Sequence, residues 1–216
     1  MSKIEAILFD LDGVLMDTEH GYTEFWDRTG EKYLGLRNFC TLIKGQTLKQ
    51  IIGHYFDERL QDIPEIVAAL DEFENNMPYE FVPGADEFLN GCREAGLKCA
   101  VVTSSNEKKM ESLYRAHPNF KERFDFILTS EDFSKSKPDP ECFIKGMEKM
   151  GVKPENTIVF EDSIHGLGAG RASGAYVVGL TTTNPADVVK RLADIVIDDF
   201  EGHNIEEIME NLPSRA

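Results

Sequence analysis

Short apolar runs alternate with amphipathic segments along most of the chain, and this alternation predicts the fold. The first run, Ile7-Leu8-Phe9, lies in a predicted strand over residues 4–10 and is typical of a strand buried on both faces. Further strands are predicted over residues 97–102, 124–128, 157–160, 176–180 and 195–197. The segments between them carry apolar residues at helical spacing. This order of strands and helices predicts an α/β protein with a doubly wound parallel sheet.

A long stretch after the first strand departs from this alternation. Residues 17–78 contain no convincing strand pattern, and their apolar residues recur at helical spacing instead. A glycine interrupts the stretch in the loop of residues 43–47, which also carries a lysine and polar side chains. We therefore predict an all-helical domain inserted into an α/β core. The predicted boundaries are 16–81 for the insertion, and 1–15 with 82–216 for the core.

Charge and composition exclude several classes of partner. The formal net charge is -16, whereas binding to a nucleic-acid backbone requires clustered Lys and Arg. An anionic substrate must then be attracted by a local cation, because the overall field repels it. No apolar run approaches the roughly 18 residues that span a membrane, and the first residues do not resemble a signal peptide. The spacing of Cys40, Cys92, Cys99 and Cys142 is not that of a metal site, so we expect buried free thiols and a cytoplasmic location.

Polar side chains follow several predicted strands at the point where each strand ends. They are Asp10, Asp12, Thr103, Ser104, Glu161 and Asp162, with Lys137 in the loop after the third strand. Because the carboxyl ends of parallel strands share one edge of a sheet, we expect these groups to meet. Four acids in one pocket repel each other unless a metal neutralises them, and oxygen ligands favour Mg²⁺. Taken singly, each has an ordinary alternative as a turn residue, a helix cap or a solvated lysine.

Such a set of groups indicates phosphoryl transfer. The transition state spreads negative charge over the phosphoryl oxygens, so positioned cations and hydrogen-bond donors stabilise it. Mg²⁺ and Lys137 supply positive charge in this hypothesis, and the Thr103 hydroxyl with backbone amides near Leu11 and Ser104 supplies donors. One aspartate attacks phosphorus and forms an aspartyl-phosphate. The second aspartate protonates the leaving oxygen and then activates water.

The same residues resemble the four motifs of the haloacid dehalogenase superfamily, in the family's order. They are Asp10-Leu11-Asp12-Gly13-Val14-Leu15, then Thr103, then Lys137-Pro138-Asp139-Pro140, then Glu161-Asp162-Ser163. The resemblance extends from about residue 4 to residue 198 and implies a Rossmann-like core. The helical insertion is similar to the cap of the subgroup that contains β-phosphoglucomutase and small-molecule phosphatases.

This resemblance implies a role for each motif residue. Asp10 is expected to be the nucleophile and Asp12 the general acid and base, and Thr103 with Lys137 is expected to hold the phosphoryl group. The Mg²⁺ ligands are expected to be Asp10, Glu161, Asp162 and the backbone carbonyl of Asp12. The dehalogenases of the superfamily lack the second aspartate, so Asp12 favours phosphate chemistry.

Two departures from the family pattern favour a phosphatase over a mutase. Tyr22 stands where β-phosphoglucomutase has a histidine, and Leu48 stands where it has the arginine that grips the far phosphate, although Thr18 and Trp26 match. Lys44 and Gln46 are the candidates to replace that arginine. The predicted substrate-binding residues are Leu11, Ser104, Ser105, Asn106, Lys44, Gln46, Tyr22 and Trp26.

Hydrolysis of a small phosphomonoester, such as a sugar phosphate, is therefore the predicted function. A β-phosphoglucomutase-type sugar phosphomutase is the first alternative. A phospho-accepting receiver module, which is not an enzyme, is the second; it would require neither the second aspartate nor a helical insertion. The expected partner is a small phosphorylated metabolite, with no nucleic acid and no membrane, and a monomer is compatible with the sequence.

Overall fold

The computed structural model describes residues 3–214, and a parallel sheet lies at its centre. The strands of this part of the chain are β1 (Ala6–Phe9), β2 (Lys98–Val102), β3 (Phe126–Leu128), β4 (Thr157–Glu161), β5 (Tyr176–Leu180) and β6 (Ile195–Ile197). Their order across the sheet is β3-β2-β1-β4-β5-β6, and every neighbouring pair is parallel. The doubly wound α/β sheet predicted from the sequence is confirmed.

Ten α-helices connect and cover the strands within the described residues. They are α1 (Glu19–Leu34), α2 (Phe39–Ile43), α3 (Leu48–Tyr55), α4 (Ile63–Asn76), α5 (Ala85–Glu94), α6 (Glu107–Ala116), α7 (Glu141–Met150), α8 (Ile164–Ala172), α9 (Ala186–Val189) and α10 (Ile205–Glu210). Short 3-10 helices precede β3 (Lys121–Arg123) and β4 (Pro154–Asn156). Between residues 3 and 214 no helix has both the length and the apolar composition that a membrane span requires.

The central strand is buried on both faces, as its apolar run predicts. Ile7 and Phe9 pack into the larger hydrophobic cluster, where the Phe9 ring stacks on Phe160 with centroids 5.1 Å apart. Leu8 points to the other face and packs in the cluster that contains Phe143 of α7. Because both layers hold β1 firmly, the residues that follow its carboxyl end have a fixed starting point.

Helices α1 to α4, called the cap from here on, lie between β1 and α5 in the sequence and have a hydrophobic cluster of their own. That cluster is centred on Trp26, Phe39 and Phe56. Polar contacts join α4 of the cap to α6 of the core. Lys108 forms an ion pair with Asp71, and the Ser112 hydroxyl donates to Asn75 Oδ1 at 2.8 Å. The cap is therefore fastened to the core along one side.

Three strands are shorter than their sequence patterns predict. Strand β1 spans residues 6–9 rather than 4–10, and β2 begins at residue 98 rather than 97. Strand β3 begins at Phe126 rather than at residue 124. The side chain of Asp125 accepts the backbone N–H of Cys99 at 2.8 Å, which replaces a regular ladder contact at this position. The predicted free thiols are confirmed, since all four cysteines are buried and unbridged.

Candidate active site

The carboxyl ends of β1, β2 and β4 open onto a cavity between the sheet and the cap. Its lining residues include Asp10, Asp12, Glu19, Tyr22, Trp26, Lys44, Gly45, Gln46, Glu74, Thr103, Lys109, Lys137 and Asp162. Ser104, Ser105, Asn106 and Glu161 also line it. The structure thus brings to one place the polar groups that the sequence distributes over more than 150 positions.

Lys137 joins the carboxyl ends of three strands, β1, β2 and β4. Its Nζ donates to Asp10 Oδ1 at 2.5 Å, to Glu161 Oε1 at 2.6 Å and to the backbone carbonyl of Val102 at 3.2 Å. The lysine is only 1% exposed. Burial lowers the pKa of Lys137, but the two carboxylates outweigh this effect and hold the pKa above its ordinary value. The ammonium is therefore a positive charge held beside Asp10, and the alternative of a solvated loop lysine is wrong.

The turn after β4 is fixed by hydrogen bonds within itself. Glu161 Oε2 accepts the N–H groups of Asp162 and Ser163, both at 3.0 Å. The Ser163 hydroxyl caps α8 by accepting the N–H of Gly166 at 3.0 Å. A helix cap was the ordinary alternative for Asp162. Ser163 makes this cap instead, and the Asp162 carboxylate accepts a hydrogen bond from Thr183.

Three carboxylates on these turns suit a divalent cation. Asp10, Glu161 and Asp162 each offer an oxygen, and the three oxygens lie within 4.8 Å of one another. Burial and the neighbouring acids raise the pKa of Asp162 well above its ordinary value, and burial raises the pKa of Asp10 to about 8 although Lys137 pulls it down. Lys137 balances one of the three charges, so a cation of charge two would balance the other two. The donor set is all oxygen, as Mg²⁺ prefers.

Gly13 allows the turn after β1 to contact the turn after β4. Its φ is +76°, a left-handed conformation, and a Cβ at this position would overlap the Asp162 carboxylate. The Thr182 hydroxyl, which follows β5, also donates to the Gly13 carbonyl at 2.6 Å. The glycine next to the aspartate pair therefore serves close approach of a second acid as well as the sharp turn.

Asp12 does not belong to the three-carboxylate cluster. Its side chain accepts hydrogen bonds from Thr18 at 2.5 Å and from Ser105 at 2.9 Å, and it forms an ion pair with Lys109. Burial raises the pKa of Asp12, but Lys109 outweighs burial and the net pKa is lowered. The Asp12 side chain is thus engaged by protein groups, and the metal contact predicted for Asp12, through its backbone carbonyl, stays a prediction.

Sequence reasoning missed Lys109, which is 3% exposed. A signal was present, because Lys109 lies four residues before Leu113 and so shares the buried face of a predicted helix. A charged residue on such a face indicates a buried partner, which here is Asp12.

The loop of residues 43–47 lies directly on the core. Ser104 donates to the Gly45 carbonyl at 3.2 Å, and a ring nitrogen of His165 lies 2.7 Å from the carbonyl of Lys44. Gly45 has a φ of +78°, and a Cβ there would lie 2.8 Å from Ser163 Oγ. The cap loop therefore closes one side of the cavity through backbone contacts.

The predicted substrate-binding residues differ in what they can offer. Leu11 is fully buried and is absent from the cavity lining, so only its backbone is available. Asn106 caps α6 by accepting the N–H of Lys109 at 2.8 Å, and Thr103 Oγ1 accepts the N–H of Ser105 at 3.0 Å. Asn106 and Thr103 therefore have a structural role in shaping the cavity wall.

The cap side of the cavity is mixed in character. Trp26 forms an apolar wall that packs on Phe39. The Tyr22 hydroxyl donates to Glu74 Oε1 at 2.8 Å, and Lys44 forms an ion pair with Glu19. Gln46 donates its amide to the carbonyl of Leu42 at 2.9 Å, which leaves its buried Oε1 without a hydrogen-bond partner. That oxygen has its hydrogen-bonding capacity unused within the protein.

Known proteins share both this sequence pattern and this architecture. A family model described as haloacid dehalogenase-like hydrolase matches residues 7–180. The β-phosphoglucomutase of Mycobacterium tuberculosis is 30% identical, over 92% of this chain and 90% of its own. The phosphorylated carbohydrates phosphatase of Thermotoga maritima is 30% identical, over 79% and 82%. The crystal structure of CbbY from Rhodobacter sphaeroides with phosphate superposes with a TM-score of 0.74 at 26% identity, covering 94% of this chain and 98% of that one.

Proposed function

Because the chain belongs to the haloacid dehalogenase-like hydrolases, we propose that it hydrolyses a small phosphate monoester through an aspartyl-phosphate on Asp10. The observation that carries this proposal is the buried contact of Lys137 with both Asp10 and Glu161 at the floor of the cavity. Membership of an enzyme family excludes the alternative of a receiver module. The homologous phosphatases and the homologous mutase act on phosphorylated compounds according to their names, which supports this substrate class.

In the first step, a carboxylate oxygen of Asp10 attacks phosphorus and the bond from phosphorus to the ester oxygen breaks. Asp12, whose pKa is lowered by Lys109 and the hydroxyl donors in the substrate-free cavity, has to be protonated when the ester is bound; it then gives this proton to the leaving oxygen, which departs as an alcohol. Lys137 holds Asp10 in place through Oδ1 and lies beside the transferred group. Positive charge already fixed at this position stabilises the transition state without reorganisation.

In the second step, water attacks the phosphorus of the aspartyl-phosphate. Asp12, now ionised, accepts a proton from this water, and the bond between phosphorus and Asp10 breaks. Inorganic phosphate leaves and Asp10 regains its carboxylate. Mg²⁺, which Asp10, Glu161, Asp162 and the backbone carbonyl of Asp12 would hold, supplies additional positive charge to the phosphoryl oxygens.

We expect turnover to depend on a divalent cation. A chelator should lower the release of phosphate from p-nitrophenyl phosphate at least about a hundredfold, because several kcal/mol of charge stabilisation are lost. Added Mg²⁺ should restore it and should also raise the unfolding temperature, since the ion binds only the folded cluster. Full activity after exhaustive chelation, measured with metal analysis of the sample, would contradict the metal assignment.

Hydrolysis is favoured over the mutase reaction, in which the phosphoryl group is transferred back to the sugar. Among the described residues, the cavity has no lysine or arginine that lacks a carboxylate partner. The lining lysines are Lys44, Lys109 and Lys137, and each forms an ion pair with a carboxylate. A mutase that works through a bisphosphate must hold a second phosphate far from the nucleophile, and a paired lysine offers little net charge for it. The unpaired Oε1 of Gln46 instead fits a neutral, hydroxylated leaving group such as a sugar.

A panel of phosphorylated metabolites tests this choice. Each compound is incubated with Mg²⁺, and free phosphate and isomerised sugar phosphate are both measured. We expect release of phosphate from sugar monophosphates without a bisphosphate primer. Conversion of β-glucose 1-phosphate to glucose 6-phosphate that requires such a primer would establish the mutase alternative, which the relative from M. tuberculosis favours by name.

A further inference from the structure

Lys109 is the buried cation that the mechanism above leaves without a role. It lies in the first turn of α6, where Asn106 Oδ1 accepts its backbone N–H at 2.8 Å, so the base of the side chain is fixed. Only 3% of the residue is exposed. A lysine is rarely buried to this extent without a specific partner, and removing an ammonium from water is costly.

The Lys109 ammonium contacts both oxygens of the Asp12 carboxylate. Thr18 and Ser105 donate to the same carboxylate, one to each oxygen. Three parts of the chain therefore hold the carboxylate: Thr18 at the start of α1, Ser105 in the loop after β2, and Lys109 of helix α6. Its rotation is restricted by the whole set, and Lys109 is the charged member.

The other side of Lys109 faces the cap. Its Nζ lies 4.4 Å from the centroid of the Tyr22 ring, and the Tyr22 hydroxyl donates to Glu74, which is 6% exposed. The Tyr22 ring and the rest of the cap therefore shield the Lys109 ammonium from solvent. Asp12 is its direct ionic partner. These contacts keep the Lys109 ammonium directed at the Asp12 carboxylate.

We propose that Lys109 is a positioning residue that acts on the reaction only through Asp12. It holds the Asp12 side chain in place in the cavity, so that the group faces the leaving oxygen when it becomes protonated and donates its proton. This inference rests on the proposed function, in which Asp12 is the general acid. A purely structural role is the competing account, and a loss of stability does not separate the two, because removing one partner of a buried ion pair destabilises the fold in either case.

Two esters of similar bulk separate these accounts. The leaving group of p-nitrophenyl phosphate departs without a proton, whereas that of p-nitrobenzyl phosphate is an alkoxide that needs one. With enzyme in excess, a single turnover reports only the first step. We expect Lys109→Met to slow release of p-nitrobenzyl alcohol about a hundredfold and release of p-nitrophenolate less than about threefold. Lys109→Arg, which keeps the charge, should recover most of the loss.

Matched controls make the result decisive. Lys149→Met removes an exposed lysine of helix α7 that lies over the Phe126 ring, far from the cap, and should leave both esters unaffected. In an Asp12→Asn background, Lys109→Met should cause no further loss. Thermal unfolding is measured for each variant, and Lys109→Gln replaces the Met variant should the latter not fold.

Each other outcome counts against the inference in a recognisable way. Equal slowing of both esters, or a loss that adds to that of Asp12→Asn, would show a structural role and overturn it. An unaffected Lys109→Met variant would overturn it as well. A wild-type protein that cleaves neither ester would overturn the proposed function itself, which is a distinct result.

Discussion

Asp10→Asn is expected to abolish turnover, with at least a roughly ten-thousandfold loss of kcat. Asparagine has the same shape as aspartate, but its amide cannot form the acyl-phosphate bond that splits the reaction into two steps. The measurement is steady-state release of phosphate from p-nitrophenyl phosphate with Mg²⁺ present. Because the geometry is retained, the loss would report the missing chemistry rather than a rearranged cavity.

Stability provides the control for that variant. Burial raises the pKa of Asp10 to about 8, so an ionised carboxylate at this position is unfavourable in the metal-free protein at neutral pH. Asparagine removes this charge, while Lys137 keeps its contact with Glu161. We therefore expect the metal-free variant to unfold at the same temperature as the wild type or higher. A folded Asp10→Asn variant with turnover within about tenfold of wild type would rule out Asp10 as the nucleophile.

Lys137→Met should have the second largest effect. Loss of the ammonium removes the fixed positive charge beside the transferred group, and we expect kcat to fall about a hundredfold or more. The change also leaves Asp10 and Glu161 buried without their common cation, which should lower the free energy of unfolding of the metal-free protein by about 3–5 kcal/mol. Both quantities are measurable on one sample, by phosphate release and by denaturant unfolding.

Lys135→Met is the matched control for this prediction. Lys135 lies two residues earlier on the same loop, its side chain is 69% exposed, and its ion pair with Asp139 spans 3.4 Å. An exposed pair of this kind contributes little, so kcat and stability should both stay close to wild type. Similar losses in the two variants would mean that the loop as a whole, rather than the Lys137 ammonium, supports activity.

The sheet and the meeting of its strand ends were predictable from the sequence for a simple reason. Parallel strands that alternate with helices align their carboxyl ends, so the residues after β1 and β4 must converge once the sheet forms. Their position directly after an apolar run is enough to predict that Asp10, Glu161 and Asp162 lie in the site. Lys137 is harder to predict, because a loop lysine is usually solvated and only its combination with the acids indicated otherwise.

The surroundings of Asp12 were beyond such reasoning. Its partners come from a helix and two loops, and their directions depend on side-chain packing that periodicity does not describe. Lys109 was the main omission, although its place on the buried face of α6 gave a signal. The functions of Asn106 and Ser104 in capping a helix and holding the cap loop were likewise hidden, since a polar residue in a loop has many available partners.

The contact between the cap loop and the core uses main-chain carbonyls, those of Lys44 and Gly45, as its acceptors. A side chain of the loop also takes part, since the Thr47 hydroxyl lies 3.4 Å from that of Ser136, so seating of the loop depends on Gly45 and Thr47. The side chains at positions 44 and 46 are free to change without loosening that seat. We therefore propose positions 44 and 46 as the pair at which selectivity among phosphate esters can be redesigned while the docking of the loop is kept.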